Sequence, residues 1–558
     1  MKKRAAFWLA AVVMALTACG GGSDAQPEPE FAPTPSPEEM LPPPLEPTPE
    51  RGPELVPDPE QQPEPEPDPA PAAREYPQPL PEDHALPRDI DRIEPLDTAL
   101  LHSAEVSFVK AMALRDPVDV PRRRIELGHF HETKPETSGR KWGGPMKIGE
   151  SREIAATAHP ADVAAMLTWR SAPDGSLVAG IEFSSEGARA IRLAVQVDQV
   201  PAGTVLRFYD AGERVEWEVD SRQIAQQRHI NESAGVSVDK ARLVWGPITA
   251  GSVGALEVRL PPGAHPAQLQ FAVPFLVHQY VDFSMYGSVV SLNSASKISI
   301  AQASGSSSTD PMCRADLQAE SRSVAMMSFI HDDGQYTRCT GTLLNDAAGS
   351  QTPYLLTAAH CIASQDSAAS LTTHWFYRSS GCDEPESVGG EHVILKGGAE
   401  LLFVDRETDI SLLRLNAQPP AGVVYAGSYF GEGVAFGLDV TGIHHPQGER
   451  QKYGEGRIVG YSQCELGGPR LSCLLPTDEV AAMLLVRLHK GLAQPGSSGS
   501  PLLVSLGPRR YLAGTLTGYV VDEEAKLGAQ FTVYGRYDAA FAKGLYRWLL
   551  AGAASVTP

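Results

Sequence analysis

Alternating apolar and polar residues recur in two separate stretches of this chain. Ile191 to Val197 reads Ile-Arg-Leu-Ala-Val-Gln-Val, Leu256 to Leu260 reads Leu-Glu-Val-Arg-Leu, and Leu269 to Val273 reads Leu-Gln-Phe-Ala-Val. A period of two places one set of side chains on one face of a strand. Pro173-Asp174-Gly175, Pro201-Ala202-Gly203 and Pro261-Pro262-Gly263 supply turns between such runs. The pattern predicts a β-sandwich over residues 96–285, with one helix from Leu96 to Leu114 at its start. Strand-like runs resume in residues 312–552, at Tyr354–Thr357, Ile410–Leu415 and Tyr511–Leu516. A closing helix is expected over Asp538–Leu550, where Phe541, Leu545 and Leu549 share one face. Between these units, residues 286–311 are rich in Ser, Ala and Gly, which marks a linker where a processing cut is tolerated. The fold class is all-β.

Residues 1–95 carry no such pattern. Residues 1–23 carry +3, and residues 24–87 hold 22 of the 47 prolines and a charge of -14, which leaves -10 of the net -21 for the 471 residues that follow. Proline removes backbone donors and like charges repel, so residues 19–95 read as a disordered, extended tether. The overall acid balance argues against nucleic acid as the main partner, because phosphate binding needs a basic footprint. The first residues differ again: Lys2, Lys3 and Arg4 precede a short apolar run that ends in Leu16-Thr17-Ala18-Cys19. This resembles the signal peptide of bacterial lipoproteins. The resemblance implies a removed segment 1–18, lipid on Cys19 and attachment to the cell envelope. Gly20 in the following position is similar to lipoproteins passed on to the outer membrane, facing periplasm or surface, with release after processing left open. Two or three acyl chains give stable anchoring where one is marginal.

Without Cys19, six cysteines remain, all in the C-terminal half: Cys313, Cys339, Cys361, Cys382, Cys464 and Cys473. In an exported protein an even set reads as disulfides, with 15 connectivities open to sequence alone. No metal-ligand spacing accompanies them. His129-Phe130-His131-Glu132 is a candidate metal pair, but such a pair more often simply faces water, and no metal or cofactor is expected.

Three short segments carry chemistry. Leu356-Thr357-Ala358-Ala359-His360-Cys361 supplies a base, Thr408-Asp409-Ile410-Ser411 an acid, and Pro495-Gly496-Ser497-Ser498-Gly499-Ser500-Pro501 a nucleophile. A serine hydroxyl attacks a carbonyl only with an adjacent base, and a carboxylate must fix that base's tautomer. The order His, Asp, Ser over residues 312–552 resembles the chymotrypsin-like serine proteases. That resemblance implies a double β-barrel, catalysis by His360, Asp409 and Ser498, and an oxyanion hole from the backbone N–H groups of Gly496 and Ser498. Asp405 competes with Asp409, but only Asp409 directly precedes an apolar strand.

Gly-Ser-Ser-Gly-Ser-Pro, Ile443-His444-His445-Pro446 and Tyr534-Gly535-Arg536 narrow the resemblance to the bacterial lysyl endopeptidases. It implies the pairs Cys339–Cys361, Cys313–Cys382 and Cys464–Cys473. His444 and His445 read as structural or surface residues. Ser497 stands where many relatives have Asp, which removes activation by insertion of a freed N-terminus. Thr532 stands where that branch carries the Asp that pairs a substrate lysine, and Thr517 lies on the facing strand. A neutral pocket does not offset the desolvation of an ammonium. Thr517 and Thr532 as pocket residues therefore favour a small or neutral residue before the scissile bond, or a Glu read by hydroxyls. Asp522, Glu523 and Glu524 reach the pocket if the loop is aligned differently.

The leading expectation is a lipid-anchored serine endopeptidase acting on proteins or peptides outside the cytoplasm. The alternative is an inactive protease-like binding protein whose β-sandwich carries the function. For an active enzyme, that β-sandwich has three readings: a propeptide, a binding module or a spacer.

Overall fold

The computed structural model describes residues 76–82, 84, 86, 90–100, 120–130, 144–211, 215–281, 309–382, 392–431, 433–465, 472–474, 481–521 and 530–552. The signal peptide, Cys19, most of the tether and linker, His131, Glu132 and Asp522–Glu524 lie outside them.

The C-terminal half is two sets of strands. In the second set, Asp439–His444, Lys452–Glu465, Met483–Lys490, Gln530–Arg536, Arg509–Val521 and Pro501–Leu506 pair in that order. Pro501–Leu506 then pairs back to Asp439–His444, which closes the barrel and leaves it without a free edge. In the first set, Thr372–Trp375, Val324–Ile330, Gln335–Leu344, Tyr354–Ala358, Ile410–Leu415 and Ala399–Asp405 pair in sequence. Val440, Ile458, Leu484 and Val486 fill the second barrel, and Met327, Phe329, Leu355 and Leu413 the first.

The expected closing helix forms in pieces: a turn at Tyr537–Ala540, a wide turn at Phe541–Leu545, and Tyr546–Leu549. Phe541, Leu545 and Leu549 are all buried, as their shared face required. Gly544, at φ 147°, breaks the helical run, since only glycine adopts that angle cheaply.

The N-terminal half has two facing sheets. One joins Arg122–Leu127, Leu177–Ser185, Val253–Leu260, Val205–Asp210 and Val215–Asp220. The other joins Leu243–Ala250, Ala190–Gln199, Gln270–Gln279 and Met146–Glu153. Phe183, Phe208 and Leu256 pack against Ile191, Leu193 and Val195 between them. The second sheet does not stop there. Met146–Glu153 also pairs with Gln335–Arg338, so one sheet runs through both halves. Arg192, on the polar side of an alternating strand, is buried because that face packs on the C-terminal half. Its guanidinium donates to the carbonyls of Gly246 and Ser370, both at 2.7 Å.

Two expectations change. Residues 76–95, grouped with the tether by composition, include segments that lie against the C-terminal half. Leu80 N–H donates to Arg547 O at 2.8 Å, and Arg92–Ile93 pairs with Ser428–Tyr429. The expected helix from Leu96 begins instead as a strand pair, Leu96–Asp97 with Val424–Tyr425, followed by a short turn at Thr98–Leu100. Backbone pairing and the Asp97–Arg322 ion pair override the apolar spacing there. Residues 101–114 lie outside the described set.

Candidate active site

His360 and Asp409 meet because their strands pair. Ala358 lies opposite Ile410, so the residues just beyond Ala358 and just before Ile410 emerge at one end of the barrel. His360 Nδ1 lies 2.7 Å from Asp409 Oδ2, and the His360 backbone N–H donates to Oδ1 at 2.8 Å. The Ala359 N–H donates to Asp409 O at 2.9 Å, and the bonded pair Cys339–Cys361 fastens the turn to the neighbouring strand. Asp409 is buried and holds φ at 55°, a left-handed angle costly to a residue with a Cβ. Three hydrogen bonds to one turn keep it there. The rival carboxylate, Asp405, binds elsewhere: Thr408 Oγ1 donates to it at 2.7 Å and Lys543 Nζ at 3.0 Å. Burial pushes the Asp405 carboxyl up, but these partners outweigh it and hold the group below its ordinary range.

Gly535 explains the Tyr-Gly-Arg segment. A Cβ on it would lie 1.8 Å from the Thr408 carbonyl oxygen, so only glycine lets the second barrel approach the Asp409 turn.

The loop that carries Ser498, the expected nucleophile, is clamped by a residue that the motifs did not single out. Thr340, next to Cys339 on a first-barrel strand, donates its N–H to Ser498 O at 2.8 Å and its Oγ1 to Gly496 O at 3.0 Å. Thr340 Oγ1 also accepts from the His445 N–H at 3.2 Å. A first-barrel strand thereby holds Gly496, Ser498 and His445 of the second barrel. The signal was available: a polar residue in a fully buried strand, Cys339-Thr340-Gly341-Thr342, needs a specific partner. Gly499 donates to Leu516 O at 2.8 Å, and a Cβ on it would sit 2.2 Å from Thr340 O. Gly496 adopts φ 91°, and Ser498 is 2% exposed.

Ser497 Oγ lies 2.7 Å from His444 Nδ1 and accepts from the Gln494 N–H at 3.1 Å. His445 Nδ1 faces Glu449 O at 2.9 Å, and its ring stacks on Tyr377 with centroids 5.9 Å apart. Burial lowers both imidazoles, His444 to about 4 and His445 to about 3, so both stay neutral. Thr532 Oγ1 donates to Val486 O at 3.4 Å, while Thr517 Oγ1 lies 3.8 Å from Met483 Sδ; both threonines are buried. Cys464–Cys473 and Cys313–Cys382 are also bonded. Among the described residues no group of three His, Cys, Asp or Glu could hold a metal ion.

Residues 301–526 match the family described as lysyl endopeptidase, C-terminal domain, and residues 124–280 match the lysyl endopeptidase N-terminal domain. A lysyl endopeptidase of Pseudomonas aeruginosa is 30% identical over 411 residues, which span 71% of this chain and 79% of that protein. The chain belongs to the lysyl endopeptidase family. It is a serine endopeptidase with the all-β double barrel. Solved structures resemble it more distantly. The active form of the Rv3671c protease from M. tuberculosis is 18% identical, covers 42% of this chain and 88% of its own, and has a TM-score of 0.28. The HtrA-type protease AlgW with a tripeptide is 18% identical, covers 40% of this chain and 60% of its own, and has a TM-score of 0.27. At position 532, where the sequence resemblance implied an Asp for a substrate lysine, this chain has Thr, and the strand residues 514–518, which include Thr517, carry no acid.

Proposed function

We propose that this endopeptidase hydrolyses peptide bonds through an acyl-enzyme on Ser498, with His360 as general base and acid and Asp409 as its orienter. One observation carries the reading: the Asp409 carboxylate spans Nδ1 and the backbone N–H of His360 at 2.7 and 2.8 Å. An acceptor at Nδ1 fixes the proton there and leaves the Nε2 lone pair for the serine hydroxyl. After attack, Nε2 returns the proton to the leaving amine. The N–H groups of Gly496 and Ser498 stabilise the oxyanion, each donor being worth about 10²–10³ in rate. A fluorophosphonate probe tests this: labelling that disappears in Ser498→Ala supports it, and no labelling of pure wild-type protein refutes it.

The neutral residues at 517 and 532 support cleavage after small or neutral residues, or after Glu, and not after Lys. Profiling the cut sites in a denatured protein mixture decides, with dominant cleavage after Lys as the refuting result. The Leu16-Thr17-Ala18-Cys19 sequence supports lipid attachment at Cys19 and residence in the cell envelope, with the acidic segment as a stalk. Intact mass of membrane-extracted protein should show an acylated chain starting at Cys19, and Cys19→Ala should be recovered in the soluble fraction.

A further inference from the structure

The Gly496 N–H, assigned above to the oxyanion, already has an acceptor. It donates at 3.1 Å to the carbonyl oxygen of Gly144. Gly144 is brought there by the strand that joins the two halves. Met146 lies opposite Arg338 and Lys147 opposite Thr337. That strand of the C-terminal half continues through Cys339 to Thr340, the residue that grips Ser498 O and Gly496 O. The chain therefore presents a carbonyl to an oxyanion donor, then Pro145, then a strand paired beside the catalytic loop. This is the order in which a bound peptide presents its scissile carbonyl and the residues on its leaving side.

We propose that Gly144-Pro145 is an in-chain ligand that occupies the oxyanion site and holds the protease closed while residues 144–153 stay docked. The proposal rests on the reading of Gly496 as an oxyanion donor. Two features make the segment an occupant and a poor substrate. Gly144 has φ 114°, an angle far from the extended backbone that any residue adopts. The next nitrogen belongs to Pro145, a tertiary amide whose ring occupies the place of the hydrogen. The glycine is set by that angle and not by space: Gly144 is buried, yet a Cβ on it would meet nothing within 4 Å. A side chain there would strain the backbone although its Cβ meets no neighbour, and should lift the carbonyl away.

The test uses the full chain, with its intactness confirmed by mass, in wild-type, Gly144→Val, Pro145→Ala and Ser498→Ala forms. Fluorophosphonate labelling and hydrolysis of a small peptide substrate are measured in parallel. A site that is open a tenth of the time or less reacts about tenfold or more below its intrinsic rate. Gly144→Val should therefore label and turn over about tenfold or more faster than wild type, with an unchanged circular dichroism spectrum. In Pro145→Ala, Ser498 Oγ can attack the Gly144 carbonyl carbon, the alanine amine leaves with a proton from His360, and water resolves the ester. The expected products are chains ending at Gly144 and starting at residue 145, absent when Ser498→Ala is added. Folded Gly144→Val that labels and turns over at the wild-type rate, together with an uncut Pro145→Ala, overturns the inference and leaves the triad standing. No labelling in any form overturns the triad reading and this inference with it.

Discussion

The Asp409 turn is held from below by the absence of a side chain, and Gly535→Ala tests how much depends on that. Gly535 lies in the strand Gln530–Arg536, opposite Met483 on one side and Thr515 on the other, so it has little freedom to shift within the barrel. A Cβ would stand 1.8 Å from Thr408 O and 2.9 Å from Thr408 C. Restoring van der Waals contact requires a movement of more than about 1 Å. The turn must absorb it, and Asp409, adjacent to Thr408, must move with it. Its two bonds to His360 at 2.7 and 2.8 Å tolerate little of that displacement. A misplacement of about 1 Å costs on the order of 10²-fold in rate, and overpacking of this kind costs about 1–3 kcal/mol in stability. Gly535→Ala should thus lower kcat about a hundredfold, leave KM for a short peptide nearly unchanged, and lower Tm by several degrees. Asp409→Asn, which keeps the shape but loses the tautomer control, sets the lower bound at about 10⁴-fold. Steady-state kinetics with thermal melts on all three proteins provide the comparison. A folded Gly535→Ala enzyme with kcat within threefold of wild type would refute the claim that this contact positions the acid.

Other expectations follow from contacts near the loop. Ser497→Ala leaves the His444 imidazole and the Gln494 N–H short of their buried partner, at about 1–3 kcal/mol, and a Tm equal to wild type would remove this role. Loss of the Cys339–Cys361 bridge, which closes a separation of 22 residues, should cost about 3 kcal/mol by denaturant titration of the Cys339→Ala/Cys361→Ala protein. Burial holds His444 and His445 at about 4 and about 3, below the unfolded value near 6.5. The unfolded chain thus binds more protons below pH 6.5, so their contribution is fully present above that pH and is lost as pH falls towards 4. The slope is about 1.4 kcal/mol per pH unit per histidine. A urea midpoint that stays flat from pH 6.5 to 4.5 would contradict it.

Strand positions were legible wherever apolar residues alternated with polar or small ones, whether or not the second face proved to be buried as well. Ile410–Leu415 lies where the alternation placed it, and Ile191–Val197, Leu256–Leu260 and Tyr511–Leu516 sit inside longer strands. The helix Ser221–Ser233 escaped because few of its residues are buried, leaving a weak apolar stripe. Its signal was local: Asp220 accepts from the Gln223 N–H while the Gln223 side chain reaches back to the Asp220 N–H, an acid three residues before an amide. Arg192 was legible as the polar side of a strand but not as buried, because its partner Ser370 O belongs to the other half of the chain.

The same limit applies to the site. The resemblance of three short segments to chymotrypsin-like proteases pointed to His360, Asp409 and Ser498, since the chemistry requires particular side chains. What clamps them is largely backbone: Thr340 N–H to Ser498 O, Gly535 against Thr408 O, Gly144 O on the Gly496 N–H. Backbone groups are common to nearly every residue, so their pairing leaves no compositional trace. The strand Gln335–Arg338 illustrates the consequence. Its outer edge is satisfied by Met146–Glu150 of the N-terminal half. Were that strand to leave, a row of unpaired N–H and C=O groups would be exposed directly before Cys339 and Thr340. Such an edge accepts any extended peptide through its main chain. The groups that hold the in-chain segment are therefore those that would receive the leaving side of a substrate. Displacement of the segment and binding of a substrate compete for one set of hydrogen bonds.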